Sequence, residues 1–596
     1  MIALTETQLA AGIVIMPKSK VDHTGASPEH LNVTEPTARV PRELHPKLVC
    51  AIAAITILVI ATYLWISEGG WANVLFVVAV ILAFGALIVV ASRRLLFATV
   101  LVAAMLALLS AISFLKQQAT DVVLHAYDLV SFVSSWPVVT SRGQDYRQYA
   151  VGLLAALMVA AMLGWIAFRL DGTRVRRTSA IAATVIFVSA AWIATGVKDE
   201  MRHTGFYYET RHISFFFSSW SETIEALWRG HLIEAASHAP GPSLPPPASC
   251  DLVSKPPHII LIHQESVVPP SYFPSVIYDK SMDPFFQSHD GKLHKLRVET
   301  YGGASWLTEF SVLTGLPAFS LGNLRQFAQT IMAGKVRETL PQALAHCGYR
   351  NVAFHPMLRI FLSIGKFFEA VGMHETFDAK DQGAKLANER DRYYYANVLA
   401  EMEHHFETSR QPLFTFVETM ATHAPYGYTY MPLLNVPGGS PGAHPHMHEY
   451  LRRLTMARID YAFLRTELAR RFPDHQFLIM HYGDHQPSVT RQLLGFAEDA
   501  TFEAVMRSGN ATALITYYAV DTINYRPHSL PDLDTLDVSY LGTIMLQSAG
   551  LPLSGTYRER KRLMTLCNGR YHGCSERSEI LKFHRRLIDS GIVDAR

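Results

Sequence analysis

Five apolar runs crowd the first third of this chain, and no other feature limits its folding so severely. They are Leu48 to Ile66, Trp71 to Val90, Leu95 to Leu115, Val151 to Phe168 and Ala180 to Val197. Each approaches the roughly 20 residues that a helix needs to cross the hydrocarbon of a bilayer. In lipid every backbone polar group must pair within its own segment, so runs of this kind are expected as helices. Over the whole 596 residues, 49% are hydrophobic and 17% charged, which is apolar for a soluble protein but too polar for one wholly in lipid. A membrane domain of five spans followed by an aqueous domain fits both figures.

Arg93 and Arg94 lie between the second and third runs, and Arg169, Arg174, Arg176 and Arg177 between the fourth and fifth; Lys18, Lys20, Arg39, Arg42 and Lys47 precede the first. Basic loops stay on the cytoplasmic side, so the N-terminus is expected in the cytoplasm and everything after Val197 outside it. The first run reads as an uncleaved anchor. Between runs three and four, "DVVLHAYDLVSFVSSWP" has the helical spacing of a segment lying in the outer interface. The boundaries expected are 1–46 for a cytoplasmic tail, 47–198 for the membrane domain, 199–249 for linker helices and a Pro-rich segment, and 250–596 for an extracytoplasmic domain with a basic C-terminal tail. Cys250, Cys347, Cys567 and Cys574 then fall where disulfides persist. "CNGRYHGC" closes a short loop and leaves Cys250 to Cys347, although spacing alone establishes neither pair. A net charge of +2 makes no case for a nucleic-acid partner.

Beyond "APGPSLPPPASC" the pattern alternates. "PHIILIHQ", "RNVAFH", "PLFTFVET", "HQFLIMHYG" and "TALITYYAV" read as strands covered on both faces. The helical stretches "GKVRETLPQALAHCG", "NERDRYYYANVLAEMEHHFE" and "HEYLRRLTMARIDYAFLRTELARRF" separate them. This order predicts an α/β domain with a mostly parallel sheet, in which ligands bind beyond the carboxyl ends of the strands. Glu265, His355, His423, Asp484 and His485 directly follow predicted strands, so they are expected along one edge. Two carboxylates and an imidazole suit a divalent ion of zinc, manganese or magnesium, which would lower the pKa of a bound hydroxyl. Two hydroxyls compete for that part in "VETYGGASWLTEFSVLTGLP", Ser305 and Thr308. The histidines of "AHPHMHEY" are expected on a loop at the mouth of the cleft.

The motifs "PHIILIHQES", "GGASWLTEFSVLTG", "THAPY" and "YGDHQP", in this order, resemble the alkaline phosphatase and sulfatase superfamily. They are most similar to its membrane-bound branch of lipoteichoic acid synthase-like phosphoglycerol transferases. That resemblance implies metal ligation by Glu265, Ser305, Asp484 and His485, with Ser305 as nucleophile because it stands nine positions before the Thr of "LTG". Thr308 is then expected to spend its hydroxyl on a local backbone bond. His423 and His355 are implied as substrate-binding residues, and Arg359 as a phosphate contact. "SWLTE" lacks the Pro and Arg of the signature that sulfatases need. The branch commonly carries Thr where this chain has Ser305. Also implied are a phospholipid donor, a glycan or lipid acceptor, a phospho-serine intermediate, one divalent metal ion and a place in the bacterial cytoplasmic membrane. Transfer of phosphoethanolamine, or hydrolysis by an anchored phosphodiesterase, uses the same logic.

Overall fold

The computed structural model describes residues 43–120, 123–129, 147–197, 211–228, 232–239 and 244–595, except 69, 246–249, 251–254, 360, 386–388, 437–443, 499 and 501. The N-terminal tail, most of the expected interfacial segment and most of the Pro-rich stretch lie outside the described residues.

Helices cover Pro46–Ser67, Trp71–Ser92, Leu95–Thr120, Arg147–Leu170 and Arg177–Val197. All five are long and apolar enough to cross a membrane. On the side of the basic loops, the buried Asp171 carboxylate accepts the N–H groups of Leu96 (2.7 Å) and Phe97 (3.2 Å), capping the third span. Arg94 donates to the Asp171 carbonyl at 2.7 Å. At the opposite end, the buried Glu68 accepts from the N–H groups of Ile213 (2.9 Å) and Ser214 (2.8 Å). These two residues open the helix His212–Trp228, so an anion sits at its positive end.

Part of the segment expected in the interface does something else. Val123 to Ala126 are buried, and Val123 joins the core of the outer domain. The rings of His125 and Tyr127 meet Phe327 at 5.3 and 4.8 Å. Ser219 of the connecting helix accepts the Ala126 N–H at 2.9 Å. The outer domain is therefore seated on the membrane domain through side chains as well as joined to it by chain.

Among the described residues the eight strands are β1 (His258–Gln264), β2 (His294–Arg297), β3 (Arg350–Phe354), β4 (Glu375–Phe377), β5 (Leu413–Glu418), β6 (Phe477–Gly483), β7 (Ile515–Ile523) and β8 (Thr535–Asp537). They form one sheet in the order β4-β3-β5-β1-β6-β7-β2-β8. The run from β4 to β6 is parallel, and β7 is antiparallel to both its neighbours. Ile259 and Leu261 enter the core beneath helices Ser305–Thr314 and Leu541–Ser548, whereas Ile260 and Ile262 enter the one beneath helices Asp391–Thr408 and Pro445–Arg471. Burial on both faces is why these strands read as continuous apolar runs. Cys250–Cys347 and Cys567–Cys574 are both disulfides, and Cys50 is a free cysteine exposed on the first span.

His481 of β6 is buried, shares a hydrogen bond of 2.8 Å with the Tyr517 hydroxyl, and stacks on Phe285. Burial, helped by Arg465, pushes its imidazole down to about 3. The folded chain thus binds this proton less readily than the unfolded one, and the stability involved is lost as pH falls from about 6.5 towards 3. Denaturant melts of the outer domain are expected to weaken across that window, by up to about 1.4 kcal/mol per pH unit for this group. The His481→Phe variant should show a shallower slope.

Candidate active site

The loop ahead of the helix Ser305–Thr314 is built to expose its first residue. Gly302 has φ 73°, and a Cβ there would meet the Phe502 ring at 2.3 Å. The Gly302 N–H donates to the Gln486 carbonyl at 3.0 Å, pinning the loop beside the segment after β6. Ala304, the N-cap, is left-handed at φ 64° and makes no side-chain cap bond. A non-glycine residue there costs roughly 1–2 kcal/mol, held by the surrounding contacts. Ser305 follows as the first helical residue. Its Oγ donates to Glu265 Oε2 at 2.9 Å and lies 3.4 Å from His485 Nε2.

Glu265 follows β1, and Asp484 and His485 follow β6. Because β1 and β6 are paired neighbours, the three side chains meet above the same edge. Ligating atoms of the three lie within 4.8 Å of one another, all buried. His485 Nδ1 stands 3.0 Å from the Gln486 carbonyl. Donation there leaves the Nε2 lone pair towards Glu265 Oε1 (3.5 Å) and Asp484 Oδ2 (3.3 Å). Asp484 Oδ2 is buried without a partner in hydrogen-bonding geometry. A lone pair aimed at two carboxylates, with an orphaned oxygen among them, is an arrangement that a divalent cation would satisfy and a proton would not.

The remaining bonds hold these ligands in place. Asp484 Oδ1 accepts the N–H groups of Ser266 and His485, each at 2.7 Å. His263 Nε2 is 3.3 Å from Asp484 Oδ2, and its Nδ1 is 2.8 Å from the Tyr482 hydroxyl. Burial opposes charge on His263, but Asp484 at 3.3 Å and the nearby carboxylates outweigh it and raise it to about 9. Burial likewise opposes charge on Asp484, yet His485 and His263 hold its carboxyl well below the usual range. Burial, with Asp484 nearby, pushes Glu265 the other way. His263 escaped the sequence reading, although it stands two residues before Glu265, the spacing that returns a strand side chain to the same face. Gly483, between Tyr482 and Asp484, has no room for a side chain: a Cβ would lie 1.9 Å from the Val267 carbonyl oxygen. Gly483→Ala is expected to displace Asp484 and lower kcat/KM by about 100-fold, as measured by steady-state turnover.

Thr308 donates to the Asp484 carbonyl at 2.8 Å. Its hydroxyl is spent on backbone as expected, but 176 positions away rather than locally. The helix bearing Ser305 is thereby bolted to the loop bearing Asp484.

His423 is exposed on the loop after β5, close enough to Glu265 to favour its ionised form. The buried Arg453 fixes that loop, donating to the carbonyls of His423 (2.7 Å), Pro425 (3.0 Å) and Tyr428 (3.2 Å), and to Glu449 at 2.7 Å. Rings of Tyr426, Tyr428 and Tyr430 surround its guanidinium. A cavity of about 620 Å³ opens beside the loop, lined by Ala424, Pro425, His444, His446 and Arg491 among others. His444 caps the helix Pro445–Arg471. His355 and Arg359 engage other partners. His355 is buried 3.0 Å from Glu418, and Arg359 pairs with Asp378 (3.3 Å) and Asp381.

The sequence model of the sulfatase family matches residues 296–519. An uncharacterized protein of Haemophilus influenzae is 22% identical over 352 residues, which are 57% of this chain and 60% of that protein. This chain thus spans less than two thirds of that relative. A phosphoglycerol transferase, GacH, of Streptococcus pyogenes, solved with sn-glycerol-1-phosphate, is 15% identical with a TM-score of 0.44, over 58% of this chain and 91% of that one. The lipooligosaccharide phosphoethanolamine transferase A of Neisseria meningitidis is 10% identical with a TM-score of 0.43, over 87% of this chain and 98% of that one.

Proposed function

We propose that this chain, whose residues 296–519 match the sulfatase family model, is a membrane-anchored, metal-dependent phosphotransferase of the alkaline phosphatase superfamily. It moves a phosphoglycerol group from phosphatidylglycerol to a glycan or glycerol-type acceptor outside the cytoplasm. The observation that carries this reading is the Ser305 hydroxyl, which opens a helix and donates to Glu265 within reach of Asp484 and His485.

Glu265, Asp484, His485 and the Ser305 oxygen would hold the metal ion. Such an ion supplies a positive charge that lowers the pKa of the hydroxyl and offsets charge on the phosphoryl oxygens. Glu265 Oε2 takes the Ser305 proton as Oγ attacks phosphorus. The first-turn N–H groups face the phosphoryl oxygens. The bond from phosphorus to the diacylglycerol oxygen breaks, and that oxygen takes a proton from His423. The acceptor hydroxyl then returns a proton to His423 as its oxygen displaces Ser305 from phosphorus, and the departing Ser305 oxygen takes its proton back from Glu265. The cavity beside His423 receives the acceptor, and the five spans keep the site where phospholipid is available.

Incubation of the full chain in detergent with phosphatidylglycerol and, separately, phosphatidylethanolamine tests this reading. Mass spectrometry should find diacylglycerol and a phosphoglycerol adduct on Ser305 or on the acceptor. Turnover of phosphatidylethanolamine alone would reassign the donor, and glycerol phosphate without any adduct would make the protein a hydrolase.

A further inference from the structure

A second buried group of charges lies one helical turn below the nucleophile, outside the steps described above. Glu309 is four residues after Ser305 on the same helix. His355 directly follows β3, Glu418 ends β5, and those strands are paired neighbours. The three are 1%, 3% and 5% exposed. Their ligating atoms lie within 4.8 Å of one another, with His355 Nε2 at 3.0 Å from Glu418 Oε2 and 3.9 Å from Glu309 Oε1.

Glu309 Oε2 accepts from Gln329 Nε2 at 2.7 Å. Glu309 Oε1 and Glu418 Oε2 are buried with no partner in hydrogen-bonding geometry. Two carboxylates so close in a dry interior need a positive charge between them or must share a proton. Without a cation, His355 Nε2 answers Glu418 at 3.0 Å but stands 3.9 Å from Glu309 Oε1. The imidazole can serve either state. Its Nδ1 lies 3.1 Å from the Met357 N–H and 3.4 Å from the Met357 carbonyl, so it can accept from the one or donate to the other. Donation to the carbonyl frees the Nε2 lone pair to face the carboxylates.

We propose that Glu309, His355 and Glu418 form a second divalent-cation site, of the nitrogen and oxygen donor class that takes zinc or manganese. Its ion ties the helix of Ser305 to the ends of β3 and β5. The site shares no ligand with Glu265, Asp484 and His485, and the proposal stands whichever substrate the enzyme uses.

The test counts metal in the full chain, stripped by chelator, reloaded with Zn²⁺ and desalted. Mass spectrometry of the metal should give two equivalents for the wild type. The Glu309→Gln/Glu418→Gln double variant should hold one, and so should Glu265→Gln/His485→Ala, with anomalous X-ray scattering at the zinc edge placing its ion at the triplet. One equivalent in the wild type that vanishes in Glu265→Gln/His485→Ala, with no anomalous peak at the triplet, would overturn the proposal while leaving the first site standing. If Glu309→Gln/Glu418→Gln does not fold, the wild-type anomalous map and the Glu265→Gln/His485→Ala count decide.

Discussion

Ser305→Ala is expected to abolish transfer, with kcat/KM down by about 10³-fold or more and no phosphorylated residue trapped on the enzyme. The variant removes an oxygen that touches both Glu265 and His485, yet the helix keeps its other anchors, so its thermal midpoint should stay near that of the wild type. Ser305→Thr should retain part of the activity, since the oxygen is kept and a methyl is added at a partly buried position. Thr308→Val separates the two hydroxyls. It leaves the Asp484 carbonyl without its donor and should lower activity by about tenfold through a displaced ligand, at about 1 kcal/mol of lost stability. If Thr308→Val were the dead enzyme and Ser305→Ala the active one, the nucleophile would have been misassigned.

The second large effect belongs to a residue that need not touch substrate. Arg453→Ala should destabilise the outer domain by about 3–5 kcal/mol, because it leaves Glu449 buried beside the carbonyls of His423 and Pro425 with their shared cation gone. Its catalytic effect should also have a distinct form. With the loop no longer moulded around a guanidinium, His423 loses its position, and kcat should fall by about tenfold in the fraction that still folds. Arg453→Lys keeps the charge but not the fork of donors, so it should recover stability better than it recovers kcat. A variant that lost stability with kcat unchanged in its folded fraction would confine Arg453 to a structural role.

Long, doubly covered elements were legible because each declares itself locally. The five spans and the strands β1, β3, β5, β6 and β7 are runs of apolar side chains that burial on all sides requires. The short strands β2, β4 and β8 were not. "HKLR", "ETF" and "TLD" are three or four residues long and become strands only because β7, β3 and β2 are there to pair with them. The same division runs through the site. Glu265, Asp484 and His485 were found because a polar residue after an apolar run stands out. Glu309 and Glu418 sit inside a helix and a strand, where nothing local marks them, and their meaning depends on three elements meeting. Arg453 is one arginine among several on a long helix, and its partners across the loop, the His423 and Pro425 carbonyls, come from a distant part of the sequence.

The seating of the outer domain on His125 and Tyr127, together with the Glu68 clamp on the connecting helix, makes the distance from bilayer to Ser305 a property of the fold. A catalytic head on a slack tether would sample many heights and meet whatever lipid diffused beneath it. With the lipid donor proposed above, a head mounted as this one is works as a fixed gauge, and turnover in vesicles of longer or shorter acyl chains is expected to differ without any change in the site.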